Sequence, residues 1–254
     1  MHLNTTGIVL REVNYKESDK ILTLLTRDEG KLTVSARGCR RKNSPIAAVS
    51  QQLCCSDFTL YEYRGRWSIR EGELRQEFRH VRSDLDKLSL GAWFAELSEA
   101  LTVEDVPAPE VLSLLLNSLY AMDALGKSPK LCKPVFELKM MALSGFEPDL
   151  TCCAVCGGEP EEPRLHLKQG ALHCPGCRAA LGEGISMPLD AACLAAMRHV
   201  LYGDPKRLFS FRLDSGALEE LAGVSEAYLL TQLERGFRTL DFYKQMTLPA
   251  GPDR

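Results

Sequence analysis

The chain runs to 254 residues, 45% hydrophobic and 26% charged, with a net charge of −3. Such a length and balance bury a sizeable core, in one large domain or two smaller ones, and are those of a soluble globular protein. The opening apolar run, Ile8 to Leu10, stops at Arg11 and is too short for a signal peptide. The longest apolar stretch, Val111 to Leu125, is broken by Ser113, Asn117, Ser118 and Asp123 and falls short of the roughly 20 residues a membrane span needs. A cytoplasmic, reducing setting is therefore expected for the ten cysteines, and there clusters bind metal more often than they form disulfides.

The N-terminal residues read as strands. "KILTLLT" ends at "RDEG", where Asp28, Glu29 and Gly30 form a three-residue hairpin turn with Gly30 left-handed. In "KLTVSARG", Leu32, Val34 and Ala36 alternate with Lys31, Thr33, Ser35 and Arg37, the period of a half-buried strand. "DFTLYEY" and "WSIREG" flank the turn pair Arg64-Gly65. With the opening "GIVLREV" this makes about five short strands in roughly 75 residues and no helix between them, which suits a small closed barrel of the OB-fold type. Residues 1–80 hold 14 Lys and Arg against 10 Asp and Glu, a local charge of +4 that leaves −7 for the rest. Polyanions respond to such local fields, because a short Debye length lets one face attract while another repels.

After Glu73 the period becomes helical. Leu85, Leu88, Trp93, Leu97 and Leu101 mark one apolar face, and Leu112, Leu115, Leu119 and Met122 another beyond the break at Pro107 and Pro109. In "PVFELKMMALSG", Pro134 suits a first helical turn and Gly145 a C-terminal cap, with Phe136, Met140 and Leu143 aligned between them. Pro188 to Leu201 and Ser215 to Met246 read as further amphipathic stretches, and "LPAGPDR" as a polar tail.

Cys153-x-x-Cys156 and Cys174-x-x-Cys177 stand 17 residues apart, inside the window of a four-thiolate zinc site. Two intervening residues let one tight turn aim both sulfurs at a single ion, and Gly157-Gly158 allows the left-handed turn a knuckle requires. Four protein ligands leave zinc no open position, so the site holds shape and does no chemistry. Cys152 is the alternative to Cys153; the x-x spacing of the second pair favours Cys153. His166 and His173 are expected to be mobile loop histidines, with Arg164, Lys168 and Arg178 nearby to offset part of the thiolate charge. Cys39, Cys54, Cys55, Cys132 and Cys193 are scattered and read as small buried hydrophobes. The expected fold class is thus α+β: a five-stranded OB-fold barrel over residues 1–80, then a helical domain over 81–254 carrying a zinc knuckle at 150–180.

Catalytic readings fail in turn. A nucleobase deaminase needs a His-x-Glu or Cys-x-Glu ahead of its cysteine pair, and none is present. A thioredoxin-like Cys-x-x-Cys belongs in a βαβ unit, and no parallel-sheet pattern surrounds "CPGC". The phosphate loop, the nucleophile elbow and the His-Glu-x-x-His helix are all missing.

"YKESDKILTLLTRDEGKLTVSARGCRRKNS", residues 15 to 44, resembles the N-terminal signature of the RecO family of bacterial recombination mediators. "FELKMMALSGFEPDLTCCAVCGG", residues 136 to 158, is similar to the family's second hallmark, a Phe-Glu-Leu helix leading into the first cysteine pair. "GFRTLDFY" departs from the Lys-Ser-Arg run common near the family's end. The resemblance implies a non-enzymatic, nucleoid-associated DNA repair protein with structural zinc. Such a protein binds single- and double-stranded DNA, anneals complementary strands, and works with RecR to load RecA onto strands coated by single-strand-binding protein. It also holds the acidic, Phe-ended tail of that coating protein on the helical domain.

The residues supply candidates for each role. Arg37, Arg40, Arg41 and Lys42 cluster after the third strand, with Lys20 and Lys31 on neighbouring segments and Arg64 and Arg66 in the last hairpin. A barrel that tracks a phosphate backbone needs such cations and aromatic stacking faces, for which Tyr15, Tyr61, Tyr63 and Trp67 are available. Lys127, Lys130, Lys133 and Lys139 lie near the apolar 131–143 helix as partners for an acidic tail. Two other classes compete: an adaptor whose barrel binds protein, and a zinc enzyme with an exchangeable coordination position.

Overall fold

The computed structural model describes residues 1–247; the polar tail expected at 248–254 lies outside them. Five strands form the first part of the chain: β1 (His2–Tyr15), β2 (Asp19–Thr26), β3 (Gly30–Ala36), β4 (Cys55–Tyr63) and β5 (Arg66–Gln76). They close into a barrel in the order β1-β2-β3-β5-β4. β1 is the longest, because it must pair with β4 through its first half and with β2 through its second. A bulge at Leu10, between the pairs of Val9 and Arg11, bends the strand from one neighbour to the other. Closure rests on a short parallel contact, Val34 with Trp67 and Ser35 with Ser68.

The alternation expected in β3 is present, with Leu32, Val34 and Ala36 buried. They join Val9, Leu22, Leu24, Phe58, Leu60 and Ile69 in the barrel core, each large aliphatic contributing ~1.5–3 kcal/mol by leaving water. Residues 38–54 form successive turns instead of a strand, and Ile46 and Val49 from this segment plug the core. Val49 packs so closely on Gly72 that a Cβ there would lie 2.7 Å from a Val49 methyl. Both expected hairpins are formed, the first with its turn one residue earlier than Asp28–Gly30. Thr26 pairs with Gly30, whose φ is +66°, so residues 27–29 make the connection and Gly30 opens β3. Tyr63 pairs with Arg66 across Arg64 and Gly65, with φ of 51° and 72°, the type I′ geometry that matches strand twist.

The described chain divides into two compact units, Met1–Leu125 with the segment from Phe237 onward, and Gly126–Gly236. In the first, the barrel is joined by α1 (Arg79–Arg82), α2 (Leu85–Leu101), α3 (Pro109–Asp123) and α7 (Arg238–Thr247). Asp84 caps α2 by accepting from the Lys87 N–H at 3.1 Å. α2 does not have the single apolar stripe expected: Leu85 is 54% exposed, while Leu90, Trp93, Phe94, Ala95 and Leu97 are all buried. The cause is packing from several sides, by β1, α1, α3 and α7, which buries a helix almost all round. Trp93 meets Phe237 edge-to-face at 4.8 Å.

The second unit holds α4 (Pro129–Leu143), the small sheet β6 (Arg164–His166), β7 (Ala171–His173) and β8 (Ser186–Pro188), α5 (Ala191–Tyr202) and α6 (Ser215–Leu233). α4 starts five residues before the expected Pro134. Ser128 caps it and Pro129 occupies its first position, a stronger start signal than a proline alone. Pro134 therefore lies inside the helix, where it cannot donate to the carbonyl four residues back. The stretch expected as helix from Ser215 to Met246 is two helices. It breaks where Glu234 turns left-handed at φ 49°, and α7 belongs to the first unit. No described helix is long and apolar enough to cross a membrane.

Candidate nucleic-acid groove and metal site

On the barrel a groove of about 1380 Å³ is lined by residues of β2, β3, β4 and β5 and of the turns beside them. Among the described residues that line it are six cations, Lys16, Lys20, Arg37, Arg64, Arg66 and Arg70, against the carboxylate of Asp19. Tyr15, Tyr61, Tyr63 and Trp67 line it too. Strand parity explains the wall: Phe58 and Leu60 face the core, so Tyr61 and Tyr63 alternate with Leu60 and Glu62 outward, and their partners Ser68 and Arg66 share that face. Tyr63 and Tyr15 are 58% and 49% exposed, whereas Trp67 is partly buried and packs against the barrel core.

The expected basic residues divide by location. Arg37, Arg64 and Arg66 line the groove, as does Lys20, which also pairs with Glu12 at 2.9 Å. Arg40, Arg41 and Lys42 are exposed on the turn beyond β3 and do not line it. That turn is anchored by the Gly38 N–H donating to Asp19 Oδ1 at 2.7 Å and by Arg40 N–H to the Ser18 carbonyl at 3.0 Å. The Gly38 hydrogen bond, foremost, holds the Asp19 carboxyl below its ordinary pKa. Lys31 differs from expectation: its Nζ donates to the Glu99 carbonyl at 2.8 Å, so the side chain satisfies the end of α2 and leaves the groove. Sequence reading missed Lys16 and Arg70. The alternation Arg66, Ser68, Arg70 pointed toward the second, and the Tyr-Lys step before a turn toward the first.

In the second unit the sulfurs of Cys153, Cys156, Cys174 and Cys177 all lie within 4.8 Å of one another, Cys156 and Cys174 at 3.8 Å. A tetrahedron of thiolates ~2.3 Å from a central ion has edges of ~3.8 Å, so the group fits a metal ion held by sulfur alone. Each pair sits on a tight turn. Gly157 N–H donates to the Cys153 carbonyl and Cys153 N–H to the Gly158 carbonyl, at 2.9 and 2.8 Å, with Gly157 at φ +73°. Cys177 N–H donates to the Cys174 carbonyl at 3.0 Å. The backbone of Cys156, foremost, draws the Cys153 thiol down to about 6, while burial pushes Cys174 up to about 12. Loading an ion therefore displaces protons. Cys152 lies outside the group and accepts from the Thr151 hydroxyl at 3.8 Å.

His166 and His173 are not loop residues as expected: both are fully buried on β6 and β7. His173 bonds the Cys174 carbonyl at 2.8 Å and the Ser186 hydroxyl at 2.9 Å, and His166 Nδ1 accepts from Gln169 N–H at 3.1 Å. They brace the sheet behind the knuckle and take no place among the sulfurs. The five scattered cysteines are all buried, as expected. Lys133, expected on the helix surface, is also buried. It sits 2.9 Å from Glu137 and 2.8 Å from Glu226, while Lys139 donates to the Leu201 carbonyl at 3.0 Å and Lys130 is exposed.

A family model described as "Recombination protein O N terminal" matches residues 1–78, and one described as "Recombination protein O C terminal" matches residues 82–241. The chain belongs to the RecO family. A relative named DNA repair protein RecO from Acetivibrio thermocellus is 30% identical over 247 residues, covering 96% of this chain and 97% of its own. RecO relatives from Symbiobacterium thermophilum and Desulforudis audaxviator are 32% and 34% identical over 94% and 95% of this chain. The resemblance to RecO read from residues 15–44 and 136–158 thus extends over nearly the whole length, and the chain is a DNA repair protein of that family with a closed five-stranded barrel and a cysteine group able to hold a metal.

Proposed function

We propose that this chain is a recombination mediator without catalytic activity of its own, whose barrel within residues 1–80 binds single- and double-stranded DNA and whose second unit, Gly126–Gly236, is braced at 150–180 by structural zinc. The observation that carries the reading is the groove, with six cations against one carboxylate and four aromatic side chains. Phosphates need the first and unpaired bases the second. Lys20, Arg37, Arg64 and Arg66 hold the backbone along the groove, Lys16 and Arg70 join them, and the Arg40–Lys42 turn extends the positive surface beyond it. Lys31 is omitted, being committed to the Glu99 carbonyl.

Two strands neutralised on one such surface approach each other without their full mutual repulsion, which is the physical basis proposed for annealing. With RecR as partner, the same capture of strand helps load RecA onto DNA coated by single-strand-binding protein. The acidic tail of that coating protein is assigned to the second unit around Lys127 and Lys130, with Lys139 set aside because its Nζ is committed to the Leu201 carbonyl. Lys133 is excluded because Glu137 and Glu226 already neutralise it. Zinc on Cys153, Cys156, Cys174 and Cys177 would supply a cross-link between two turns and no Lewis-acid chemistry, since sulfur fills every position.

The experiment is strand annealing in the presence of the coating protein, alongside anisotropy of a labelled strand. Binding that falls steeply with salt, together with faster annealing, supports mediation. Binding of the coating protein with no affinity for DNA would make the chain an adaptor instead.

A further inference from the structure

Three cations around the groove sit over three tyrosine rings. Lys16 Nζ lies 5.3 Å from the centroid of Tyr15, the Arg64 guanidinium 5.1 Å from that of Tyr63, and the Arg70 guanidinium 4.9 Å from that of Tyr61. All six residues line the groove. Two different backbone devices produce this repetition. Lys16 and Arg64 each follow their tyrosine directly and each stand in the left-handed region, at φ 54° and 51°. A side chain so placed folds back over the preceding ring, and left-handed residues other than glycine gather at binding sites. Arg70 arrives by a bulge: the β4–β5 ladder passes from Leu60–Ile69 to Thr59–Glu71 and leaves Arg70 unopposed, and a bulge re-aims its side chain. The core does not require the outer rings, since Tyr15 and Tyr63 are about half exposed or more.

Resting on the reading of the groove as a nucleic-acid site, we propose that these cations are displaceable caps and that the tyrosines beneath them set the preference for unpaired strands. A phosphate entering the groove competes with the ring for its cation. A charge-assisted hydrogen bond to phosphate is stronger than the pull of an exposed ring's quadrupole. The cation moves to the phosphate, the ring face is bared, and an unpaired base stacks on it. Backbone capture and base stacking are thereby coupled, residue pair by residue pair. A duplex also draws the cations away, but its bases are already stacked inside and leave the rings unfilled. The cations thus set affinity for both kinds of DNA, and Tyr15, Tyr61 and Tyr63 set the difference between them.

Three probes of equal length separate these roles by anisotropy on the full chain: a thymidine strand, a strand of abasic sites, and a duplex. Tyr63→Leu and Tyr15→Leu are each expected to weaken the thymidine strand about tenfold and to leave the other two unchanged. Tyr63→Phe, which keeps the ring, restores binding. Equal losses on all three probes, no loss on the thymidine strand, or wild-type binding to abasic and thymidine strands alike would overturn the caps and leave the groove as the binding site. A wild-type chain that ignores all three probes would remove the reading of the groove and the caps with it.

Discussion

Arg64 stands at a position that the proposed binding role would use and the fold would not choose. It occupies the first central position of a turn whose φ is positive at both central residues, a position that suits Asn or Gly. Arg64→Asn is expected to raise the urea midpoint by the equivalent of about 1 kcal/mol, because Asn tolerates the left-handed region better, and to weaken oligonucleotide binding. A variant no more stable and no weaker would show that the arginine carries neither cost nor use. Lys133 is the opposite case, a cation spent wholly on the fold. Burial alone would lower its pKa, but Glu137 and Glu226 outweigh that and raise it. The contribution is present in full below the ordinary Lys value of 10.5, so it is complete at neutral pH. Lys133→Met removes the ammonium from beside the buried Glu137 carboxylate and should cost about 3–5 kcal/mol, read from the chemical denaturation of the full chain. Nothing in the spacing of four lysines separated this one from its exposed neighbour Lys130; the contact that buries it comes from Glu226, 93 residues away.

At the scale of elements, the knuckle at Cys153–Cys177 and the β4–β5 hairpin are the parts on which the two proposed roles rest. The sulfur group ties a turn at 153–158 to one at 174–177, and Ala154 N–H donates to the Leu172 carbonyl at 2.9 Å, which links the first turn to β7. A chelator should release one equivalent of metal per chain and lower the melting temperature of the full chain by ~2–4 °C for each kcal/mol lost. Cys156→Ser, at an exposed position, should do the same. An unchanged melt after complete metal release would deny the knuckle its structural role. Both cysteine pairs and the Arg64-Gly65 turn were legible because their signals are local. The bulge at Arg70, the interior position of Pro134 and the burial of His166 and His173 were not. Each is decided by what packs against the residue and not by its neighbours in the chain.

Across the whole molecule, charge is divided between an N-terminal part of +4 and a remainder of −7. Affinity for a single strand should fall with a log–log salt slope of about −0.7 for each phosphate neutralised. Arg40→Glu with Arg41→Glu should flatten that slope; an unaltered slope would remove the turn from the contact surface. Acid should destabilise the chain for a separate reason. Asp19 is held below its ordinary 3.8 chiefly by the Gly38 N–H, Asp57 by Thr6, and Asp149 by Thr151, and Glu159 is held below 4.5 by Arg198. Their contributions are complete above those ordinary values and are lost as pH falls through the lowered folded values, where the unfolded chain binds protons first. Urea midpoints measured from pH 6 to pH 3 should be flat and then decline, and a midpoint that rises on acidification would contradict this.

By itself the sequence determined the strand alternation, the two hairpin turns and the pairing of cysteines at 153, 156, 174 and 177. These depend on period and on spacing over a few bonds. Only the tertiary structure decided which of the basic residues share a concave face. Closure of the barrel through Val34 and Trp67 brings Arg37 to the same groove as Arg66 and Arg70, while Lys31, six residues earlier, is turned to the end of α2. A side chain's sign is written in the chain, but the direction in which it points is set by strands that meet far apart in sequence, and a binding surface needs both.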